Sequence, residues 1–170
     1  DRVRRIGVLR SGEAGRGLPR SIQTLFRLFP LARRHPHPIA VHFPTAYFIA
    51  AALFLLLHTL SPGLFGFDSE KAAAAMLIMG SLFSIVAIAT GFFTLWVNYR
   101  FKMRPLVKRK LTVTGFLILF EASALLMRAH GPVTGSVESV VYLVLILLLA
   151  VCVTILGYLG GEMVFPVKAK

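Results

Sequence analysis

Only one cysteine occurs among the 170 residues, Cys152, so an intrachain disulfide and the framework of a cross-linked small domain are both excluded. Inside an apolar run, Cys152 reads as a small core residue. Acidic residues are scarce, with seven Asp and Glu against nineteen Lys and Arg. Charged residues make up 15% of the chain and hydrophobic residues 56%, which leaves too few charges to coat a soluble domain. Missing too are the groupings that carry most hydrolytic and nucleotide chemistry. There is no Gly-rich phosphate loop, no Cys pair, no HExxH, and no Ser/His/Asp set with a third member in reach. These absences point away from an enzyme acting by itself and toward a non-catalytic or electron-transfer subunit in lipid.

Four apolar runs fill the chain, at about 39–60, 72–97, 111–129 and 137–159. Each is long enough to cross a hydrocarbon core about 30 Å thick, which takes roughly 20 helical residues. The runs do not alternate polar with apolar residues and are about twice the length of a barrel strand, so helices are the structure that satisfies their backbones in lipid. Short connections then predict an all-α, integral membrane, up-and-down four-helix bundle over 36–167, with no internal repeat and no second globular domain. Residues 1–35 are set apart as a basic arm. Within it, Ser21 to Leu31 carries Ile22, Leu25, Phe26, Leu28 and Phe29 among few charges, a pattern that fits a short amphipathic segment in the membrane interface.

The net charge of +12 is one-sided. Nine arginines precede the first run, six basic residues (Arg100, Lys102, Arg104, Lys108, Arg109, Lys110) lie between the second and third, and Lys168 and Lys170 follow the fourth. Threading four spans places these on one face and leaves only Lys71 and Arg128 for the other. The positive-inside pattern makes the basic face cytoplasmic, with both termini there, and a bacterial inner membrane is the expected location. Anionic lipid accounts for the basicity at about 1 kcal/mol per charge near the surface, so nucleic acid is not an expected partner. The arginine-rich start leads into a full-length span, so no cleavable signal peptide is expected.

An ionisable group inside a span costs about 2.5–3.5 kcal/mol on insertion scales and calls for a partner or a purpose. Glu121 lies about ten residues into the third run, near the bilayer middle. It reads either as a neutral acid bonded to another helix or as part of a proton or quinone path. The histidines fall at two levels. His58 and His130 each lie about 19 residues along parallel spans, roughly 28 Å from the inner face, a common height that would suit a bis-histidine haem b. At the inner face stand His35, His37, His42, Lys110 and Glu162. His37 and His42 are about 140° apart on a regular helix and could share a metal only if the turn disturbed by Pro44 redirects them. A polar cluster for an anionic or quinone head group is the favoured reading there. The alternative is that these groups only bond freed carbonyls and lipid phosphates. Pro44 itself frees a carbonyl near residue 40, which suggests that this turn is buried against protein or a bound group.

The segment His37-Pro-Ile-Ala-Val-His42-Phe-Pro44, with its preceding proline, resembles the HPxxxHFP motif of the predicted membrane proteins of domain-of-unknown-function family 2231. Thr90-Gly-Phe-Phe-Thr-Leu-Trp96-Val-Asn98-Tyr99 and Gly157-Tyr-Leu-Gly160-Gly161-Glu162 are similar to further recurring pieces of that family. The resemblance covers about residues 36–167. Many members carry a further histidine where this chain has Lys108-Arg109-Lys110, a departure that weakens an inner haem. The resemblance implies a neighbourhood of redox proteins and an inner site drawn from His37, His42, Trp96, Asn98 and Glu162. The expectation is a small subunit of a respiratory or photosynthetic electron-transfer complex, holding haem b or helping to form a quinone site. The alternative is a cofactor-free structural or assembly subunit whose arm clamps a larger membrane-protein complex.

Overall fold

The computed structural model describes residues 24, 27, 28, 36–61, 68–99, 101–129, 131 and 136–164. These residues contain no strand. Helix α1 spans Pro36–Ala40, α2 His42–Leu60, α3 Ser69–Tyr99, α4 Pro105–Ala129 and α5 Ser136–Val164. Four stretches are long and apolar enough to cross a membrane: His37–Leu60, Ser69–Val97, Pro105–Ala129 and Val137–Met163. Of the proposed arm and interfacial segment, only Thr24, Arg27 and Leu28 are described, all helical and exposed. The rest of that segment lies outside the described residues.

Proline and hydrogen-bonding side chains explain the ends. Pro105 opens α4 at the first helical position, where a missing N–H costs nothing. The third span therefore begins earlier than hydropathy suggests, because Lys108, Arg109 and Lys110 belong to the first turns of the helix and not to a loop. Before it, Phe101 adopts a left-handed backbone (φ 54°), and its N–H reaches the Leu95 carbonyl at 3.2 Å, which turns the chain sharply after α3. At the start of α3, Asp68 accepts from the Lys71 N–H at 3.1 Å and caps the helix.

Between α1 and α2 the chain stays close to helical at Val41 (φ −71°, ψ −19°). Pro44, buried in the first turn of α2, cannot donate to residue 40. Two nearby side chains supply extra bonds to this turn. The His42 Nδ1–H donates to the Pro38 carbonyl, and the Thr45 hydroxyl donates to the Val41 carbonyl at 2.7 Å.

The helices run up and down. Antiparallel α2 and α3 pack most extensively: the Phe48 ring lies so close on Gly80 that a Cβ there would stand 2.7 Å from Cε1. The Phe43 and Tyr47 rings stack against Phe83 with centroids 4.8 and 5.6 Å apart. Next come α4 with α5 and α2 with α5, while α3 and α4 approach each other at few points. Around the bundle the order is thus α3, α2, α5, α4, with a loosely packed seam between α3 and α4. The main apolar core joins Phe48, Ala51, Leu55, Leu77, Ala124 and Ile146, all almost fully buried. By helix register it occupies the middle and the end away from the basic loop. That end is called the opposite end below, and the end holding α1 and residues 101–104 the basic end.

Candidate functional site

At the basic end, α1 turns the His37 side chain into the bundle. Its Nδ1 donates to the Ala87 carbonyl of α3 at 3.0 Å and lies 3.4 Å from the Thr90 hydroxyl. Gly91 makes room for the ring, since a Cβ there would be 3.0 Å from His37 Cε1. With Nδ1 occupied as donor, Nε2 is left as an acceptor. From the other side of the bundle, half-buried Lys110 of α4 comes within electrostatic reach of His37. Its Nζ lies 3.8 Å from where a Cβ at Gly160 of α5 would be. No carboxylate pairs with Lys110 among the described residues. One turn further along α3 the Thr94 hydroxyl is buried without a hydrogen-bond partner. An acceptor, an uncompensated cation and an unpaired hydroxyl therefore stand at neighbouring levels at this end of the bundle.

Of the other expected members of the inner cluster, His42 and Trp96 are turned partly or wholly outward. His42 is exposed, with Nδ1 tied to the Pro38 carbonyl of α1, so the Pro44 turn does not bring it round to His37. Trp96 is 36% exposed and meets Phe93 edge-on at 6.4 Å, while its neighbours Leu95 and Val97 face inward. Glu162 is half-buried in the last turns of α5 and forms no ion pair among the described residues. Asn98 belongs to the final turn of α3. His35 lies outside the described residues. At the opposite end His58 is exposed in the last turn of α2, and His130 also lies outside the described residues.

Glu121 sits in the middle of the α3–α4 seam, 9% exposed. Ser84 of α3 donates to its Oε1 at 2.9 Å and Oε2 at 3.0 Å, and Ser81 lies close enough to contribute. The Ser84 hydroxyl also stands 2.9 Å from the Ser81 carbonyl. Towards the opposite end the same seam is closed by a two-pronged ion pair. Arg128 Nη1 and Nη2 meet Glu70 Oε1 and Oε2 at 3.0 and 3.1 Å, and Nη1 also donates to the Gly131 carbonyl at 3.3 Å.

Sequence reasoning did not find Ser84 or the Glu70–Arg128 pair, and met Thr90, Gly91 and Thr94 only as parts of a family-like segment, with no role given to them. One signal was present in each helix. Lys110, Thr114, Leu117, Glu121, Ala124 and Arg128 recur at steps of three and four, which puts them on one face of α4, apart from Thr112 and Ser123. Ser81, Ser84, Gly91 and Thr94 do the same for α3.

A family model described as a predicted membrane protein (DUF2231) matches residues 34–170, and the chain belongs to that family. No curated protein and no solved structure matches.

Proposed function

We propose that the chain is a small integral membrane subunit of an electron-transfer complex, and that His37, Lys110 and Thr94 at the basic end hold the head group of a quinone. The observation that carries this reading is an inward-turned imidazole within electrostatic reach of a lysine that has no carboxylate partner among the described residues. A buried cation that is left uncompensated is expensive, and a carbonyl-bearing ligand offsets part of that cost. Lys110 and the Thr94 hydroxyl would donate to carbonyl oxygens, and His37 Nε2 would accept from the hydroxyl of the reduced form. Electrons would come from redox centres of the partner subunits, with this chain supplying contacts and orientation.

A haem b was the other expectation. Among the described residues only one imidazole enters the basic-end cluster, so that donor set fits a head group better than a bis-histidine haem. Should haem be present, His58 and His130 at the opposite end are the ligands to test. The charge asymmetry supports a cytoplasmic basic end, and the arm remains the proposed contact with the larger complex.

Two measurements test this. The full natural chain, purified with its complex, is extracted with organic solvent and its quinone is quantified per chain. Lys110→Met and Thr94→Val should each lower the retained quinone severalfold, with exposed Lys108→Met as the control that does not. Retention equal to bulk lipid, or unchanged by Lys110→Met, overturns the reading. A reduced-minus-oxidised spectrum with b-type bands that vanish in His58→Ala would replace it by the haem form.

A further inference from the structure

The seam between α3 and α4 is unequal along its length. From Glu121 towards the opposite end, Leu77, Ala73, Ala124 and Ile146 are fully buried and apolar, and beyond Ser81 the buried or partly buried polar groups include the Tyr142 hydroxyl and the matched Glu70–Arg128 pair. About 10 Å of helix, seven residues of α4, separates Glu121 from Arg128. Towards the basic end, polar atoms recur at almost every turn of α3. Ser84 is followed three residues later by the Ala87 carbonyl, which already receives His37, then by the Thr90 hydroxyl and the unpaired Thr94 hydroxyl. Thr114 and Lys110 lie at matching levels on α4. Three residues of helix are about 4.5 Å, a gap that one water bridges.

The hydroxyl of Ser84 has two acceptors within reach, the Glu121 carboxylate at 2.9–3.0 Å and the Ser81 carbonyl at 2.9 Å. An ionised Glu121 accepts from Ser84. A neutral Glu121 donates its O–H to Ser84 Oγ, while Ser84 turns its own hydrogen to Ser81. Both forms keep a Glu121–Ser84 hydrogen bond without moving a helix, which suits a group that gains and loses a proton inside lipid.

We propose that Glu121 is a proton-binding site in mid-bundle, in exchange with the basic end alone, with Ser84 as the switching hydroxyl and Thr90 and His37 as the next polar steps. Loading is a simple balance: a hydrated proton arriving along this side forms the O–H bond at a Glu121 oxygen and leaves water behind, and release reverses it. The charged and titratable groups around the site are Lys110 and Arg128 on its own helix, Glu70 on α3, His37 on α1, and Tyr142 and Cys152 on α5. Arg128 is already matched by Glu70, and Lys110 lies eleven residues, about 16 Å of helix, from Glu121. The proposal does not depend on which ligand the basic-end cluster takes.

The test is infrared spectroscopy of the full natural chain in lipid nanodiscs on switching from H₂O to D₂O. A neutral-acid C=O band lost in Glu121→Gln is expected, and in the wild type it should shift promptly on transfer to D₂O. Thr90→Val, isosteric and on the basic side, should slow that shift about ten-fold, equivalent to about 1.4 kcal/mol of barrier. Glu70→Gln, on the opposite side, should leave it unchanged. Helix content by circular dichroism confirms that each variant is folded. A band that shifts only as slowly as the buried backbone amides would make Glu121 a locked structural acid and overturn the proposal. So would slowing by Glu70→Gln but not by Thr90→Val, or the absence of any neutral-acid band.

Discussion

The two ends of the bundle hold polar groups among apolar helices in contrasting ways. At the opposite end Glu70 and Arg128, with side chains 19% and 18% exposed, neutralise each other, and Arg128 also reaches the Gly131 carbonyl. Around them the contiguous core packs Phe48 onto Gly80 and brings Leu77 and Ala124 together. Tyr142, buried with its hydroxyl unpaired among the described residues, is an exception in that half. Among the described residues, those buried at the basic end are fewer and scattered, Lys110 has no counter-ion, and Thr94 has no partner. Matched polar groups close a structure, whereas unmatched ones mark where a ligand, water or proton belongs. The Glu70–Arg128 pair is therefore the structural clasp of the opposite end, and the basic end is where the proposed site stands.

Breaking the clasp should have the largest effect on stability. Arg128→Gln leaves Glu70 partly buried without its partner and is expected to destabilise the bundle by about 2 kcal/mol, reduced from the fully buried case because a fifth of each side chain is exposed. Unfolding in mixed micelles measures it, and the Glu70→Gln/Arg128→Gln double variant should recover part of the loss. A double variant no better than the sum of the singles would show that the two charges do not stabilise each other.

Gly80→Ala probes the packing next to that clasp. Its Cβ would fall 2.7–2.8 Å from two carbons of the Phe48 ring, so the ring must shift, at a cost of about 1–2 kcal/mol. The matched change at the basic end, Gly91→Ala, meets His37 Cε1 at 3.0 Å. It should cost under about 1 kcal/mol, because a side chain on the short α1 moves more easily than a ring in the core. Its expected signature is functional: displaced from the Ala87 carbonyl, His37 should hold ligand more weakly. Equal destabilisation by the two alanines would erase the contrast between the ends.

The smallest effect belongs to Asp68, at the exposed cap of α3. The Lys71 side chain, and after it the Lys71 N–H, hold this carboxyl below the usual carboxylate range. The folded-state value is lowered, so the stabilisation is complete above the unfolded-state value and fades as pH falls through the folded one. Stability should drop slightly on acidification in the wild type, and that component should be absent in Asp68→Asn. An identical acid dependence in both proteins would remove the cap from the account.

Parts of the site were legible in the chain before any packing was known. Glu121 stood out because a carboxyl in an apolar run is costly, and His37 because prolines bracket it. Ser84, Thr90 and Thr94 did not, since hydroxyl residues are common in spans and usually bond their own helix, as Thr154 does to Ala150 at 2.8 Å. Lys110 and Glu162 were grouped by level alone, and level does not tell which way a side chain points.

What the sequence determined by itself is the number of spans, their alternation and the concentration of charge at one end. The reason is that lipid obliges a backbone to form whole helices and makes charge costly within them. Tertiary structure alone decided the order of helices around the bundle, the inward turn of His37 with His42 left outside, the pairing of Glu70 with Arg128, and the seating of Glu121 on Ser84. A span apolar on every face carries little periodic signal for its rotation or its neighbours. Those are settled where shapes meet, by Phe48 on Gly80, His37 on Gly91 and the few polar groups that must find one another.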